Sequence, residues 1–268
     1  MTLAGAIDVV VFDVLGTMVD EPGGLRAAVR EALAESREAP SPAPGATADA
    51  GMPGPQGARL PGRGTPGTRS QERLLDQLVI MWQRHVEDEQ RRIAEGARAY
   101  VNSAVLDREA AERVAGRTGV TDPAAIARLA SASQRLRPWD DSRAGLARFA
   151  ERFPVLGLSN AARATLLRLT VHAGLRWHQT LSAEDARAYK PAPQVYRLAL
   201  RAAGCPPERV LMVAAHAWDL RGAQAVGMRT AYVRRPVGDP PRPSDTFDWR
   251  ADGLAELAAL VPSPPGSA

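Results

Sequence analysis

Short, uninterrupted apolar runs alternate with longer amphipathic stretches, and the two periods divide the chain. The first run, Val9-Val10-Val11-Phe12, leads directly into Asp13, with Gly16-Thr17 close behind. An apolar run this short predicts a strand buried on both faces, as in a parallel sheet. Val155–Leu158 and Val210–Val213 repeat the pattern, and Thr180–Ser182 and Thr230–Val233 read as shorter strands. Helical periodicity fills the intervals: Arg143–Arg152, Arg163–Ala173 before Gly174, Pro193–Ala203 before Gly204, Leu220 to Gly227, and Ala251–Leu260. Glycine directly after the last periodic residue is the usual helix stop. Repeated βα units require a parallel sheet with right-handed crossovers, so the expected fold class is α/β.

Between the first strand and this repeating half, no strand-like run occurs. Leu25–Arg37 carries Leu25, Val29 and Leu33 on one helical face. A long helix follows from Ser70, read as its N-cap, to about Glu95, with Leu74, Leu75, Leu78, Ile80, Met81 and Trp82. Leu106–Thr118 and Asp122–Leu136 complete the set, the latter opened by an Asp122-Pro123 start signal. Residues 25–137 are therefore expected to form a helical insertion in a core made of 1–24 and 138–268. Within it, residues 39 to about 69 are rich in Pro, Gly, Ala and Ser and are expected to be a disordered insertion.

Composition changes this picture at a few points. The net charge of +4 comes from 34 basic and 30 acidic residues, with the arginines scattered among acids rather than gathered into a stripe. With four Phe and four Tyr, base-stacking platforms are scarce, so no nucleic-acid partner is expected. No apolar run approaches the roughly 20 residues of a membrane helix, and no membrane partner is expected. The N-terminus shows no basic stretch ahead of the first strand and Cys205 is the only cysteine, so a reducing cytoplasm is the expected location. The sharpest fact is that Lys190 is the only lysine, while Asn102 and Asn160 are the only asparagines. Arginine cannot replace a compact ammonium where a point charge is needed.

Polar residues cluster at the predicted strand ends: Asp13 with Thr17, Ser159 with Asn160, Lys190-Pro191 in a loop, and Asp219 beyond Val213. The carboxyl ends of parallel strands share one edge, where open α/β sheets bind ligands. Each residue has a plainer reading, Asp13 and Asp219 as caps, Ser-Asn as a turn and Lys-Pro as a loop.

Taken together, the motifs Phe12-Asp13-Val14-Leu15-Gly16-Thr17, Leu158-Ser159-Asn160, Tyr189-Lys190-Pro191 with Val195-Tyr196, and His216-Ala217-Trp218-Asp219 leading into Gly222-Ala223 resemble the haloacid dehalogenase-like (HAD) hydrolase superfamily. The resemblance is nearest to its (S)-2-haloacid dehalogenase branch. It implies a Rossmann-like core with a helical cap inserted after the first strand. It also implies that Asp13 is a nucleophile forming a covalent aspartyl ester that water hydrolyses. Thr17 and Ser159 would then hydrogen-bond the Asp13 carboxylate, and Lys190 would hold it ionised. Asn160 would line the pocket, Tyr196 would support the substrate carboxylate, and Asp219 would fix Lys190 and the hydrolytic water.

Departures from the family pattern bear on the chemistry. The superfamily's phosphatases place a proton-donating aspartate where this chain has Leu15, and a Mg²⁺-binding aspartate where it has Ala214, followed by Ala215. A halide leaves without a proton, whereas an alkoxide needs one. Yet Leu15 also replaces the dehalogenases' tyrosine, and His216 their asparagine. His216 could position or deprotonate water, or pack beside Trp218. The arginine that should follow the cap tryptophan, Trp82, is Gln83, with Arg84 one residue further on. The expected substrate is a short 2-haloacid, with no cofactor and no metal ligand; a homodimer is left open. A Mg²⁺-dependent phosphatase and a non-catalytic protein of the same fold are the alternatives.

Overall fold

A computed structural model describes residues 6–38 and 66–262. Its centre is a six-stranded, wholly parallel sheet of β1 (Val9–Asp13), β2 (Val155–Ser159), β3 (Gln179–Ser182), β4 (Val210–Ala214), β5 (Arg229–Val233) and β6 (Trp249–Ala251), in the order β3-β2-β1-β4-β5-β6. Every residue of β1 is buried, as its apolar run predicts. Successive side chains of a strand point to opposite faces. Val10 and Phe12 accordingly join one apolar cluster with Leu146, Phe149, Leu166 and Leu254, while Val9 and Val11 join another with Val195, Tyr196 and Leu220. Helices α5 (Ser142–Ala150), α6 (Arg163–Ala173) and α9 (Leu254–Leu260) supply the first layer; α7 (Pro193–Ala203) and α8 (Ala217–Gln224) supply the second. This is the expected Rossmann-like α/β arrangement.

Among the described residues, four α-helices intervene between β1 and α5: α1 (Glu21–Glu38), α2 (Pro66–Ala94), α3 (Ser103–Thr118) and α4 (Pro123–Ala130). They share a third cluster containing Leu25, Val29, Leu75, Leu78, Trp82, Val114 and Leu129. Asp122 caps α4 by accepting the N–H groups of Ala124 and Ala125 at 3.1 and 3.0 Å. Hydrogen bonds tie this block to the sheet half, among them one from Asn160 Nδ2 to Gln90 Oε1 of α2 at 3.5 Å. Ala162 N–H donates to Ser103 Oγ (2.7 Å), Tyr189 Oη to the Val101 carbonyl (2.8 Å), and Asn102 Nδ2 to Glu184 Oε1 (3.3 Å).

Several boundaries differ from expectation. β6 was not foreseen: Trp249-Arg250-Ala251 has no apolar run, pairs only with β5, and includes Ala251, which was expected to begin the last helix. An edge strand needs no second apolar face, so periodicity does not reveal it. Asp122–Leu136 is not one helix; α4 ends at Ala130 and a separate 3₁₀ turn spans Ala132–Gln134. Ser70 lies inside α2 rather than capping it, and residues 66–69 belong to that helix. The rest of the Pro/Gly-rich segment, 39–65, lies outside the described residues.

The two core helices α7 and α8 meet where Gly222 faces Tyr196. A β-carbon at Gly222 would lie 2.7 Å from Tyr196 Cζ, and Tyr196 is fully buried with no room to retreat. Gly222→Ala should therefore destabilise the fold by about 1–3 kcal/mol, the usual range for overpacking. The midpoint of urea unfolding measures this directly.

Candidate active site

Register fixes the site before any side chain is considered. Asp13 ends β1, Ser159 ends β2 and Ala214 ends β4, and the three strands are adjacent and parallel. The loops beyond these ends bring Lys190 and Asp219 to Asp13. Lys190 Nζ donates to Asp13 Oδ1 at 2.9 Å and to Asp219 Oδ2 at 2.8 Å, with all three side chains buried. Thr17 Oγ1 donates to Asp13 Oδ2 (2.6 Å) and itself accepts Ala215 N–H (2.9 Å), which locks the loop after β1 to the end of β4. Tyr196 Oη donates to Asp219 Oδ1 at 2.6 Å. Asn160 Oδ1 accepts the backbone N–H of Lys190 at 2.9 Å, so the amide positions the lysine rather than acting alone.

His216, the residue before α8, places Nδ1 3.3 Å from Asp13 Oδ2. Its ring occupies space that only glycine leaves open. A β-carbon on Gly16 would lie 2.5 Å from His216 Cε1, and Gly16 has φ +76°, a conformation that side chains disfavour. Trp218 packs on the other side, with ring centroids 5.7 Å apart.

Electrostatics follow from this geometry. Burial alone would raise the Asp13 pKa, but the Lys190 ammonium, then His216 by hydrogen bond and charge, then the Thr17 hydroxyl overcome it and hold the carboxyl well below the usual range. Burial would neutralise Lys190, yet the charges of Asp13 and Asp219 raise its pKa. Burial pushes Asp219 up, against the pull of Lys190. His216 is raised in the same way as Lys190: burial opposes its charge, and the bond and charge of Asp13 more than compensate.

Asp13 opens onto a cavity of about 200 Å³ between the sheet edge and the helical block. Eight residues expected at the site line it: Asp13, Leu15, Trp82, Gln83, Asn160, Lys190, His216 and Trp218. Other expectations need correction. Ser159 makes no hydrogen bond to Asp13; its hydroxyl oxygen accepts Ala161 N–H at 3.1 Å, closing its own turn. Tyr196 does not reach the cavity and supports Asp219 instead. Asp219 is fully buried with both oxygens engaged, so it holds Lys190 but is not placed against a water in the cavity. Arg84 points to solvent, about 100° around α2 from Gln83, and does not take over the arginine position.

Sequence reasoning missed three carboxyls in the same cavity: Glu87 in α2, and two less exposed ones, Glu21 at the start of α1 and Asp107 in α3. Burial raises the latter two to about 7; the charge of Asp13 adds to the effect at Glu21, and that of Glu21 at Asp107. The Ser133 hydroxyl and Trp82 indole partly offset this at Asp107 by hydrogen bonding to its charged form. A signal for Asp107 was present: it shares the buried stripe of α3 with Ala110, Ala111 and Val114, where a charge is out of place.

Comparison with known proteins identifies the family. Residues 7–227 match the family profile of haloacid dehalogenase-like hydrolases. The chain belongs to that family. An (S)-2-haloacid dehalogenase of Pseudomonas sp. (strain YL) is 32% identical over 113 residues, 41% of this chain and 49% of that protein. One from Xanthobacter autotrophicus is 33% identical over 133 residues, 48% and 52% of the two chains. The chain thus spans about half the length of the curated relatives it matches. In three dimensions the match is longer. The crystal structure of an L-2-haloacid dehalogenase superposes with TM-score 0.73 at 29% identity, covering 95% of this chain and 98% of that one.

Glu21 and Asp107 bind protons more tightly in the folded chain than in the unfolded one. Their contribution to stability is therefore full below about pH 4 and is lost as pH rises toward 7. Asp107→Asn removes that loss at one site. Its melting temperature should match the parent's near pH 4 and exceed it at pH 8, with a gain on the order of 2–4 kcal/mol from a shift of about three pKa units. Thermal melts of both proteins across this range test it.

Proposed function

We propose that the protein hydrolyses the carbon–halogen bond of a short (S)-2-haloacid through an ester on Asp13. The observation that carries this reading is an ionised Asp13, anchored by Lys190 and Thr17 at the floor of a small cavity, with Leu15 where a proton donor would otherwise stand. An Asp13 oxygen attacks the carbon bearing the halogen from the side opposite the leaving group. The new C–O bond forms as the C–X bond breaks, and the pair of electrons departs with the halide, which needs no proton. Water then attacks Asp13 Cγ, releasing the 2-hydroxyacid with inversion and restoring the carboxylate.

Helices α1–α4 act as the cap in this reading, since Trp82, Gln83 and Asp107 enter the cavity from them. Mg²⁺-dependent phosphoryl transfer suits the residues less well. Ala214 and Ala215 offer no side-chain oxygen where that chemistry needs a hard ligand. The single cysteine, Cys205, can form no intrachain disulfide, which supports a cytoplasmic location in this reading.

The test is halide release from 2-chloropropionate or 2-bromopropionate, followed with and without a chelator. Halide should appear at the same rate in both, and Asp13→Ala should abolish it while the circular dichroism spectrum stays that of the parent. Chelator-sensitive phosphate release from an aryl phosphate, without halide release, would overturn the assignment.

Lys190→Arg conserves charge but not shape. A planar guanidinium cannot sit between two buried carboxylates in the space of an ammonium. Turnover should fall at least about 100-fold, roughly 2.7 kcal/mol of barrier, and steady-state kinetics on the same haloacid would show it.

A further inference from the structure

We propose that His216 is the base of the second half-reaction, and that the first half-reaction switches it on. This rests on the ester mechanism proposed above and assigns a role that His216 can perform only within it.

Four side chains surround the Asp13 carboxylate or its lysine. Thr17 has no basic group. Lys190 is held as an ammonium between Asp13 and Asp219. Asp219 is fully buried, with Oδ2 taken by Lys190 and Oδ1 by Tyr196, and it does not line the cavity. His216 differs on every count: it lines the cavity, and its Nδ1 contacts Asp13 Oδ2 at 3.3 Å. Gly16 on one side and Trp218 on the other keep the ring in place, so Nδ1 stays directed at the carboxyl group.

The charges that face His216 come from β1 (Asp13), the loop carrying Lys190, α8 (Asp219) and α1 (Glu21). Burial favours the neutral ring, and the bond to ionised Asp13 is the largest effect holding it protonated. Alkylation of Asp13 cancels that negative charge. Of what remains, burial and the nearby Lys190 ammonium favour the neutral imidazole, against the charges of Asp219 and Glu21. His216 then releases its proton to solvent as halide leaves, and Nδ1 presents a lone pair beside the ester carbon.

Atoms balance through the second half. Water oxygen bonds to Asp13 Cγ while one water proton passes to His216 Nδ1. The tetrahedral adduct expels the 2-hydroxyacid alkoxide, which takes that proton back. The carboxyl group left on Asp13 gives its own proton to His216, restoring the starting ion pair. Over the cycle, haloacid and water yield hydroxyacid, halide and one proton. The proton is liberated in the first half rather than the second.

Single turnover with 2-chloropropionate tests this, read by halide, by a pH indicator and by the intact mass of the protein. The parent should release protons in step with halide, before hydroxyacid forms. His216→Gln should still gain the mass of the ester and should hydrolyse it about 100-fold more slowly, in the range expected for loss of a general base. His216→Ala should recover part of that rate with added imidazole. Ester hydrolysis in the parent should accelerate with rising pH through one ionisation. Parent-like ester hydrolysis in His216→Gln, or a pH-independent step in the parent, would overturn the role of His216 while leaving the covalent mechanism intact. The parent's pH profile needs no variant, so misfolding of a variant does not remove the test. A parent that releases halide with no ester mass would instead overturn the covalent mechanism and this role with it. Parent-like rates in Glu21→Gln alongside slow hydrolysis in His216→Gln would support His216 over the neighbouring carboxyl.

Discussion

One ammonium group shared by two buried carboxylates is the constraint to which the rest of the site answers. Taking three charges out of water is costly, and mutual attraction compensates only if every remaining lone pair finds a donor. Lys190 supplies one bond to each carboxylate, and the rest come from neighbours: Thr17 and His216 on Asp13, Tyr196 on Asp219. Those donors impose conditions in turn. Tyr196 fits because residue 222 has no side chain, and His216 fits because residue 16 has none. Two glycines far apart in sequence are therefore consequences of one electrostatic problem.

The sheet order solves the problem of bringing these groups together. β1 lies inside the sheet, flanked by β2 and β4, so its carboxyl end has polar loops on both sides. Lys190 follows β3 and Asp219 follows β4, yet both reach the residue that ends β1. The four-helix block then closes the space above. Its contribution is unlike that of the sheet half, because it adds two carboxyls that retain protons near neutrality. The cavity wall thus shifts from hydrogen-bond donor to anion over the range in which most hydrolases work.

Much of this was legible in the sequence where chemistry and periodicity coincide. The apolar run into Asp13, the isolated Lys190 and the polar residues after each strand indicated both the sheet edge and its occupants. Both asparagines prove to have backbone partners: Asn160 accepts from Lys190 and Asn102 from Val105 at 3.4 Å, the latter at the start of α3. What escaped depends on direction rather than identity. Tyr196 and Ser159 were expected to face the reacting carboxylate or its substrate, but a pattern of residue types does not say which way an oxygen points. Arg84 shows the same limit, since one step along α2 carries a side chain from cavity to solvent. β6 escaped because a three-residue edge strand leaves no periodic trace.

A final consequence arises from the scarcity of lysine. Lys190 is the sole side-chain amine in the chain, and it is 5% exposed with its ammonium doubly hydrogen-bonded. The arginine-rich surface is therefore blind to acylating and reductive-alkylating reagents that target lysine. Modification of the ε-amine can proceed only when this buried site opens, so a label on that one nitrogen, told apart from a label on the α-amine, reports the breathing of this site and of no other part of the molecule.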